Sequence, residues 1–461
     1  MEATLARRLS TLCDSDSLEN LLESSESVYF TGWARINGRR VMIVAADPEL
    51  LPEAADLSFS LSRYINALQQ AGAAGCPVVF LHDSPAPYQS GQTAFQGTGV
   101  ELMMGQNCVG KQYFEITRLS GHVPLVCAVL GHVAQAQAFP AVMCDGAVML
   151  EESSISVARP DAVEAMLNEN NSYEELGGAS IHSRQVGDCH QVVSSEEEAM
   201  TWIRNFLSYL PSNKSESPPS LRPTPAKPDV PGISEIIPAK LNLPFDVRQV
   251  IDSLVDEDQF LELSHDFAGE VVTGFCRIQG RAAGIAANNS MVRGGVFFPE
   301  TCHKLTRFLK LCNSFNLPVV FLADAPGFMI GKDVEKRGIV FAGAELFSAI
   351  AETRVPRLCI IIRRAYTAGL YAMSGSGFQP VAIYALPWAS IGVYGPEAAA
   401  RFMDKLNLPQ NKKDDIMRKM EAERRLEFLV EKGFLDGIME PDRVRETIAG
   451  FLMKREANSG I

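Results

Sequence analysis

Four short runs of the chain are apolar without a break and rich in β-branched residues: 78–81, 125–130, 319–322 and 358–362. Longer segments between them have the spacing of helices, as at 57–71 and 302–315. Apolar strands that alternate with helices are typical of parallel strands buried on both faces. The pattern therefore predicts an α/β fold, with ligands expected beyond the carboxyl ends of these strands.

The second half of the chain repeats the first. Three segments match in order: ARINGRR at 34–40 with CRIQGRA at 276–282, PVVFLHDSP at 77–85 with PVVFLADAP at 318–326, and VPLVC at 123–127 with VPRLC at 355–359. The offset between partners is almost the same for all three pairs, so both order and spacing are nearly kept. A period this long excludes a solenoid and indicates a duplicated domain.

A segment rich in Ser, Pro and Lys separates the two copies. Its sequence, SNKSESPPSLRPTPAKPDVPG, contains few large apolar residues. Such a composition cannot bury enough surface to fold alone. We therefore expect a first domain at 1–210, a semi-extended linker at 211–244 and a second domain at 245–461.

Composition and charge exclude several classes of protein. Of the 461 residues, 46% are hydrophobic and 21% are charged, a balance typical of globular proteins rather than disordered chains. The formal net charge of −13 gives no reason to expect a nucleic acid as partner. The sequence shows no apolar run that predicts a membrane span and no secretory leader. Ten cysteines without a C-x-x-C pair favour reduced thiols in a cytoplasmic protein.

Four histidines of the first half are candidates for chemistry: His82, His132, His182 and His190. Their spacing contains no metal motif such as H-E-x-x-H, so no metal is expected. One of them, if it lies near a substrate, is able to move a proton at neutral pH. The alternative interpretation of each is a structural imidazole.

The strand-to-helix turn of the second half is the strongest candidate for chemistry. Small residues, including Ala368 and Gly369, follow the apolar run there, and they expose backbone N–H groups at a helix start, where an oxygen with negative charge can bind. The alternative is that these residues only let helix and sheet pack closely. The segment Asp324, Ala325, Pro326, Gly327, Phe328 follows the preceding strand and is expected to line the same pocket, with Phe328 as a flat wall. Its alternative interpretation is an ordinary proline-glycine turn.

Longer motifs in this region resemble a known family. ADAPGFMIG at 323–331, RAYTAGLYAM at 364–373 and WASIGVYGPEAA at 388–399 occur in that order, and the first half adds GWARINGR at 32–39 and ELGGA at 175–179. Together they resemble the carboxyltransferase (beta) subunit of biotin-dependent acyl-CoA carboxylases. The resemblance runs from about residue 28 to residue 450 and is stronger in the second half.

This resemblance implies two tandem crotonase-like domains (the ClpP/crotonase ββα superhelix). It also implies a homo-oligomer, a hexamer built from head-to-tail dimers, whose active site lies between the first half of one subunit and the second half of another. The acyl-CoA thioester is expected on the first half and carboxybiotin on the second. Carboxyl transfer to the α-carbon of the thioester then proceeds through an enolate, and backbone amides in each half hold the developing negative charge.

The resemblance also assigns roles to single residues. It maps the amide donors of the second half onto Ala368 and Gly369, and those of the first half onto Gln135 and Ala136. Relatives carry Gly-Gly at the latter pair, and a glycine with positive φ is not harmlessly replaced by glutamine. The loop PAPYQ at 85–89 also stands where relatives have a glycine-rich stretch.

Two further positions follow from the resemblance as substrate contacts. Tyr371 falls where relatives carry a residue that shapes the acyl pocket, and its bulk suggests a changed substrate; the alternative is a core tyrosine. Arg159 lies in a turn where it could meet a phosphate of CoA. The alternative for Arg159 is a solvated turn residue.

The sequence contains neither a glycine-rich ATP-binding stretch nor a biotin-attachment segment. Biotin is therefore expected on a separate biotin carboxyl carrier protein, charged by a separate biotin carboxylase subunit. Two alternatives stay open because of the altered first-half site. One is a malonyl- or methylmalonyl-thioester decarboxylase, or a carboxyltransferase whose acyl group is held by a carrier protein. The other is a non-catalytic scaffold subunit of a carboxylase complex.

Overall fold

A computed structural model describes residues 3–20, 27–49, 56–84, 99–406 and 408–458. The chain divides into two compact units, Met1–Pro218 and Pro219–Ile461. This division falls inside the segment expected to link the halves. Within that segment the helix Ile233–Ile236 buries Ile233 and Ile236 in the core of the second unit. The latter part of the segment is therefore packed against the second unit rather than extended.

The first unit is built on a seven-stranded sheet in the order β1-β2-β3-β4-β5-β7-β9. The first three strands pair antiparallel, and the others pair parallel. A separate two-stranded parallel sheet joins β6 to β8. The strand bounds are β1 Glu19–Asn20, β2 Tyr29–Ile36, β3 Arg39–Ala46, β4 Val78–His82, β5 Leu125–Val129, β6 His132–Ala134, β7 Gly146–Leu150, β8 Ser154–Ser156 and β9 Gln191–Val193.

The helices of the first unit start and end at residues suited to those positions. The long helix Leu57–Ala74 begins where Asp56 accepts a hydrogen bond from the Phe59 amide at 2.8 Å, and it ends at Gly75 in the left-handed conformation, φ 62°. The other α-helices are Ala3–Leu12, Gly99–Met104, Val109–Leu119, Ala138–Val142, Pro160–Leu167, Tyr173–Gly177, Ala179–Ile181 and Glu196–Tyr209.

The second unit repeats this arrangement. Its sheet has the order β10-β11-β12-β13-β14-β15-β17, and β16 extends β14 beyond the point where β15 ends. The hairpin of β11 and β12 is antiparallel, and the strands after it pair parallel. The strand bounds are β10 Phe260–Leu263, β11 Val271–Ile278, β12 Arg281–Asn288, β13 Val319–Ala325, β14 Arg357–Tyr366, β15 Ala382–Ala385, β16 Ser390–Gly392 and β17 Gly437–Ile438.

Helices of the second unit follow the strands as the sequence pattern predicts. The expected helix at 302–315 is Pro299–Ser314, with proline in its first turn, where the missing N–H costs nothing. The other α-helices are Ile233–Ile236, Val247–Leu254, Lys332–Lys336, Ile339–Glu352, Ala368–Ala372, Pro396–Lys405, Gln410–Glu423, Leu426–Glu431 and Val444–Asn458. Among the helices described, none is both long and apolar enough to cross a bilayer.

The four apolar runs are central strands of the two sheets. Every residue of β4, β5 and β13 is buried, and so are all but one of the residues of β14. Because these strands are parallel and sequential, the segments that follow them gather at one edge of each sheet. The prediction of an α/β architecture with buried parallel strands is thereby confirmed, and it fixes where the candidate residues lie.

Candidate functional site

The strand-to-helix turn of the second unit begins at the end of β14. Thr367 follows the strand with φ 47° and ψ −135°, and the helix Ala368–Ala372 starts directly after it. Thr367 is exposed, Ala368 is half-buried and Gly369 is buried. Among the described residues, no acceptor takes a hydrogen bond from the amide of Ala368 or Gly369. Both N–H groups are therefore available at a helix start, and their role as donors to a substrate oxygen stays a prediction.

Gly369 also has a packing role. A Cβ at this position would lie 2.9 Å from the Gly327 nitrogen and 3.0 Å from its Cα, and backbone atoms cannot yield as a side chain does. The turn after β13 thus contacts the turn after β14 directly. The packing and the chemical interpretations of Gly369 are both compatible with this geometry, because close contact of the two turns is what holds the amides in place.

Asp324 is fully buried rather than exposed to a ligand. Its carboxylate accepts from Arg363 Nη2 at 2.7 Å and from Arg364 Nε at 2.6 Å, and also from the Arg364 backbone amide at 3.1 Å. The Asp324 amide donates to Asn288 Oδ1 at 3.2 Å. These contacts use both carboxylate oxygens, so Asp324 positions Arg364 and does not itself line the cavity described next.

A cavity of about 560 Å³ opens beside this turn in the second unit. The Tyr366 hydroxyl donates to Ser390 Oγ at 2.8 Å, which fixes the ring at the cavity wall. The charged lining residues are three cations and one carboxylate, a balance that suits a ligand with negative charge. Pro326 lines the cavity together with Tyr366, Arg364, Arg401, Lys240 and Glu397.

Three further predicted substrate contacts lie outside this cavity, as Asp324 does, and the predicted donors Ala368 and Gly369 do not line it either. Gly327, with φ 121°, accepts at its carbonyl from the Phe297 amide at 3.0 Å. Phe328 stacks on Phe297 with ring centroids 5.1 Å apart, so its flat face is used inside the protein. Tyr371 is 44% exposed, which excludes the alternative of a core tyrosine. Its assignment to an acyl pocket stays a prediction.

The first unit contains the same turn at the corresponding place of the duplicated sequence. Gln135 follows β6 with φ 58°, a left-handed value that glutamine rarely adopts, and the 3-10 helix Gln135–Gln137 begins there. Gln135 is exposed, Ala136 is half-buried and Gln137 is buried, which is the order found along the turn of the second unit. Among the described residues, the amides of Gln135 and Ala136 donate to no acceptor.

The amide pairs predicted for the two units do not occupy equivalent positions of the turn. The pair predicted in the first unit lies one residue earlier in the turn than the pair predicted in the second. Gln135 corresponds to Thr367 and Ala136 to Ala368, so Gln137 stands where the second unit has Gly369. Gln137 was missed by reasoning from motifs. The signal in the sequence that pointed to it was the match of VPLVC with VPRLC, because counting forward from these two segments aligns Gln137 with Gly369.

A smaller cavity of about 180 Å³ lies beside the turn of the first unit. Gln135 and Gln137 line it, together with His132, Arg159 and Tyr173. The Arg159 side chain is only 11% exposed and pairs with Asp161, so it is not the solvated turn residue of the alternative interpretation. The loop at 85–89, expected to differ from relatives, lies outside the described residues.

His132 is held on two sides at this cavity. Its ring stacks on Tyr173 with centroids 4.1 Å apart and planes 4° from parallel, and Nδ1 lies 3.0 Å from Ser154 Oγ. Burial lowers the pKa of His132 below its ordinary value, although the charges of Asp83 and Glu152 act in the opposite direction.

The other three candidate histidines of the first unit lie outside the lining of this cavity. His82 is buried in β4, and burial lowers its pKa to about 4. Burial alone would lower the pKa of His182, but its hydrogen bond to Asp188 at 2.8 Å raises that pKa. His190 Nδ1 accepts from the Ala147 amide. No group of three His, Cys, Asp or Glu side chains able to hold a metal occurs in the described part of the chain.

Asp83 is the counterpart of Asp324, since the two residues follow the matched PVVFL segments at the same position. The Asp83 carboxylate pairs with Arg8 at 2.7 Å, and Arg8 in turn pairs with Glu196 at 2.6 Å. A Cβ at Gly131 would overlap Asp83 Oδ1, so the absence of a side chain at Gly131 allows this carboxylate to lie under the turn. Each unit therefore places a buried or nearly buried carboxylate beneath its strand-to-helix turn.

Comparison with known proteins decides the family. The carboxyl transferase domain family matches residues 9–459. The chain belongs to this family. It is 31% identical over 426 residues to the carboxyltransferase subunit of a Haloferax mediterranei propionyl-CoA carboxylase, covering 91% of this chain and 80% of that protein. An uncharacterized carboxylase of Bacillus subtilis, YngE, is 34% identical over 427 residues, covering 91% of this chain and 82% of that protein.

A solved structure shares the fold. The transcarboxylase 12S crystal structure, a hexamer with hydrolyzed methylmalonyl-coenzyme A bound, superimposes with a TM-score of 0.85 at 27% identity, covering 98% of this chain and 89% of that chain. The predicted pair of crotonase-like domains is confirmed. Biotin-dependent carboxyl transfer to an acyl-CoA is likewise confirmed as the activity of this carboxyltransferase, in preference to the decarboxylase and scaffold alternatives.

Proposed function

We propose that the first unit binds the acyl-CoA thioester and that the second unit receives the carboxylated biotin. The observation that carries this proposal is the pair of matched turns, each with a residue at positive φ and with unoccupied amides after it. Two oxygens must gain negative charge when a carboxyl group passes from biotin to an α-carbon. One belongs to the thioester and one to the ureido ring, so two amide sites are needed.

The side chains around each turn support this division. The second cavity is larger, about 560 Å³ against 180 Å³, and Arg364, Arg401 and Lys240 line it. Those cations suit the carboxylate that biotin delivers, and the donors at Ala368 and Gly369 suit the ureido oxygen. Biotin supplies an activated carboxyl group when it is bound there. The residues of this chain orient it and stabilise charge.

The first cavity supports a short acyl group. Its volume of about 180 Å³ leaves room for a small acyl chain beside Gln135, and Arg159 lies where it can meet a phosphate of CoA. Several relatives are named for propionyl-CoA or methylmalonyl-CoA, and one is named for long-chain acyl-CoA. We accordingly infer a short-chain acyl-CoA as substrate.

The same reasoning extends to partners. We infer a biotin carboxyl carrier protein and a biotin carboxylase subunit as separate partners, and a homo-oligomer, because the related 12S structure is described as a hexamer. A cytoplasmic location is supported by the ten free cysteines, eight of them buried, which suit a reducing compartment.

The reverse half-reaction tests this function. The purified protein is incubated with methylmalonyl-CoA and free biotin, and loss of the carboxyl group is followed by release of CO₂. Decarboxylation that requires biotin is expected. Decarboxylation of equal rate without biotin would favour the decarboxylase alternative. Failure to bind or turn over any of a panel of acyl-CoA thioesters, in a folded protein, would contradict the proposal.

A further inference from the structure

The first unit carries a glutamine where the second unit has a glycine. Gln137 occupies the position of Gly369, at which a Cβ would lie 2.9 Å from a backbone nitrogen. The turn of the first unit instead admits a long polar side chain. Gln137 lines the cavity of about 180 Å³ and is only 7% exposed, so the surface that it keeps faces this cavity. The two units therefore differ in a polar residue that belongs to one candidate substrate site.

The side-chain amide of Gln137 has no hydrogen-bond partner within the described part of the chain. A glutamine amide offers two N–H donors and one carbonyl acceptor. Buried polar groups in native proteins are nearly always hydrogen-bonded, and an unpaired one lowers stability. The partner of Gln137 must therefore be a molecule that enters the cavity, either water or a polar group of the substrate.

Tyr173 brings a second unused polar group to the same cavity. Its ring stacks on His132 with centroids 4.1 Å apart, which holds the ring at the cavity wall. Across the residues that the structure describes, the Tyr173 hydroxyl has no hydrogen-bond partner. A phenol both donates and accepts. The cavity thus offers two neutral groups, each of which can act as donor and as acceptor.

The charged groups of the cavity are already paired. Arg8 Nη1 lies 2.7 Å from Asp83 Oδ2, and Arg159 Nε donates to Asp161 Oδ1 at 3.1 Å. A carboxylate on the ligand would have to compete for one of these arginines, because burying a charge without a partner is costly. The groups left for a ligand therefore match a neutral substituent that donates and accepts, which is the chemistry of a hydroxyl.

We propose that the acyl group bound by the first unit carries a hydroxyl on its β- or γ-carbon, and that the Gln137 amide binds this hydroxyl. An unsubstituted alkyl chain would fill the same space and leave the amide unpaired, so the site selects against it. The small volume of the cavity limits the chain to a few carbons. This inference rests on the proposed binding of acyl-CoA by the first unit and specifies its substrate.

Binding of matched thioesters to the whole protein tests this selection. Calorimetry compares propionyl-CoA with β-hydroxypropionyl-CoA, and butyryl-CoA with γ-hydroxybutyryl-CoA. The wild-type protein is expected to bind the hydroxylated member of at least one pair about tenfold more tightly or better, since a hydrogen bond replaces an unpaired buried amide. Gln137→Met keeps the length of the side chain and removes its donors, so it should lose this preference while it still binds the alkyl thioesters.

Two controls separate the possible outcomes. Gln106→Met makes the same replacement at an exposed position outside the cavity and should keep the wild-type preference. Binding of the alkyl thioesters by Gln137→Met shows that its site is folded.

Equal binding within both pairs by the wild type would mean that water satisfies Gln137, and the inference would be wrong. It would also be wrong if Gln137→Met kept the preference, or if succinyl-CoA bound more tightly than γ-hydroxybutyryl-CoA, because the selected group would then be a carboxylate. If the wild type binds none of these thioesters, the proposed function itself is contradicted.

Discussion

The two units of this carboxyltransferase keep the same backbone turn and surround it with different side chains. Gln135 and Thr367 both adopt positive φ, 58° and 47°, and both precede amides without an internal acceptor among the described residues. In the first unit the turn carries His132 and Gln137, where the second unit has an arginine and a glycine. The difference teaches that main-chain donors tolerate sequence change, because any residue except proline supplies an N–H. Side chains are then free to specialise each site.

The carboxylates beneath the turns differ in the same way. Asp324 is fully buried and bound by two arginines, while Asp83 is 11% exposed and bound by Arg8, which Glu196 also neutralises. The second unit therefore depends on a single carboxylate to balance two guanidinium groups. In the first unit two carboxylates, Asp83 and Glu196, pair with Arg8. Loss of either one should therefore lower the stability of the unit less than loss of Asp324 does.

The largest expected effect is loss of the buried carboxylate in the second unit. Asp324→Asn leaves Arg363, which is 1% exposed, without a counter-charge, and breaking a buried pair in this way costs about 3–5 kcal/mol. Asp83→Asn should cost less, because Arg8 retains Glu196. Urea unfolding of both variants, with hydrogen exchange to assign the loss to a unit, provides the measurement. Equal losses would show that the two carboxylates are not specialised as described.

The second prediction concerns acid stability and His82, whose counterpart in β13 is Ala323. The folded pKa of His82 is about 4, below the ordinary value near 6.5, so the unfolded chain binds more protons between these values. Stability that is present above pH 6.5 is lost as pH falls towards 4, by at most about 3 kcal/mol.

The variant His82→Leu should remove that loss. Leucine fills the buried position without a titratable group, so its unfolding midpoint in urea should change less between pH 7 and pH 5 than that of the wild type. The raised pKa of His182 does not interfere, because its stabilisation is fully present below the unfolded pKa and is lost only at higher pH. Parallel curves for wild type and variant would contradict the prediction.

The strands that lead to these two turns, and the duplication itself, could be predicted from the sequence. Continuous apolar runs predicted β4, β5, β13 and β14, because strands buried on both faces need apolar residues at every position. The ordered matches revealed the duplication. These features depend on local composition, which one sequence displays directly.

Contacts across elements were not predictable in the same way. The pairing of Asp324 with Arg363, and the stacking of His132 on Tyr173, join residues that lie far apart in the chain. Nothing in their spacing indicates contact. The packing of the helix Ile233–Ile236 into the second core was also missed, because a proline-rich composition averages over the few apolar residues that decide it.

Close contact between turns in the second unit gives the third prediction. Gly369→Ala places a Cβ 2.9 Å from the Gly327 nitrogen, so the turns must separate, which we expect to cost about 1–3 kcal/mol and to lower biotin-dependent decarboxylation. Gly450→Ala is the matched control, since a Cβ there meets no atom within 4 Å in the helix Val444–Asn458. It should stabilise slightly. If both variants unfold at the wild-type urea concentration, contact at Gly369 is unimportant.

The smallest effect should come from relieving the backbone of each turn. A positive φ costs a residue with a side chain about 1–2 kcal/mol, so glycine at position 135 should relieve this strain. Glycine also increases the entropy of the unfolded chain, which offsets part of the relief. Gln135→Gly should therefore stabilise the first unit by about 0.5–1 kcal/mol. Asn168→Gly, at φ 56° in the same unit, should gain less because asparagine tolerates this conformation. Thr367→Gly should gain at least as much as Gln135→Gly, since φ 47° with ψ −135° lies outside the left-handed helical region as well. A gain in only one of the two turns, measured by urea unfolding, would mean that the units do not share a strained backbone, and that the correspondence of Gln135 with Thr367 is one of sequence spacing alone.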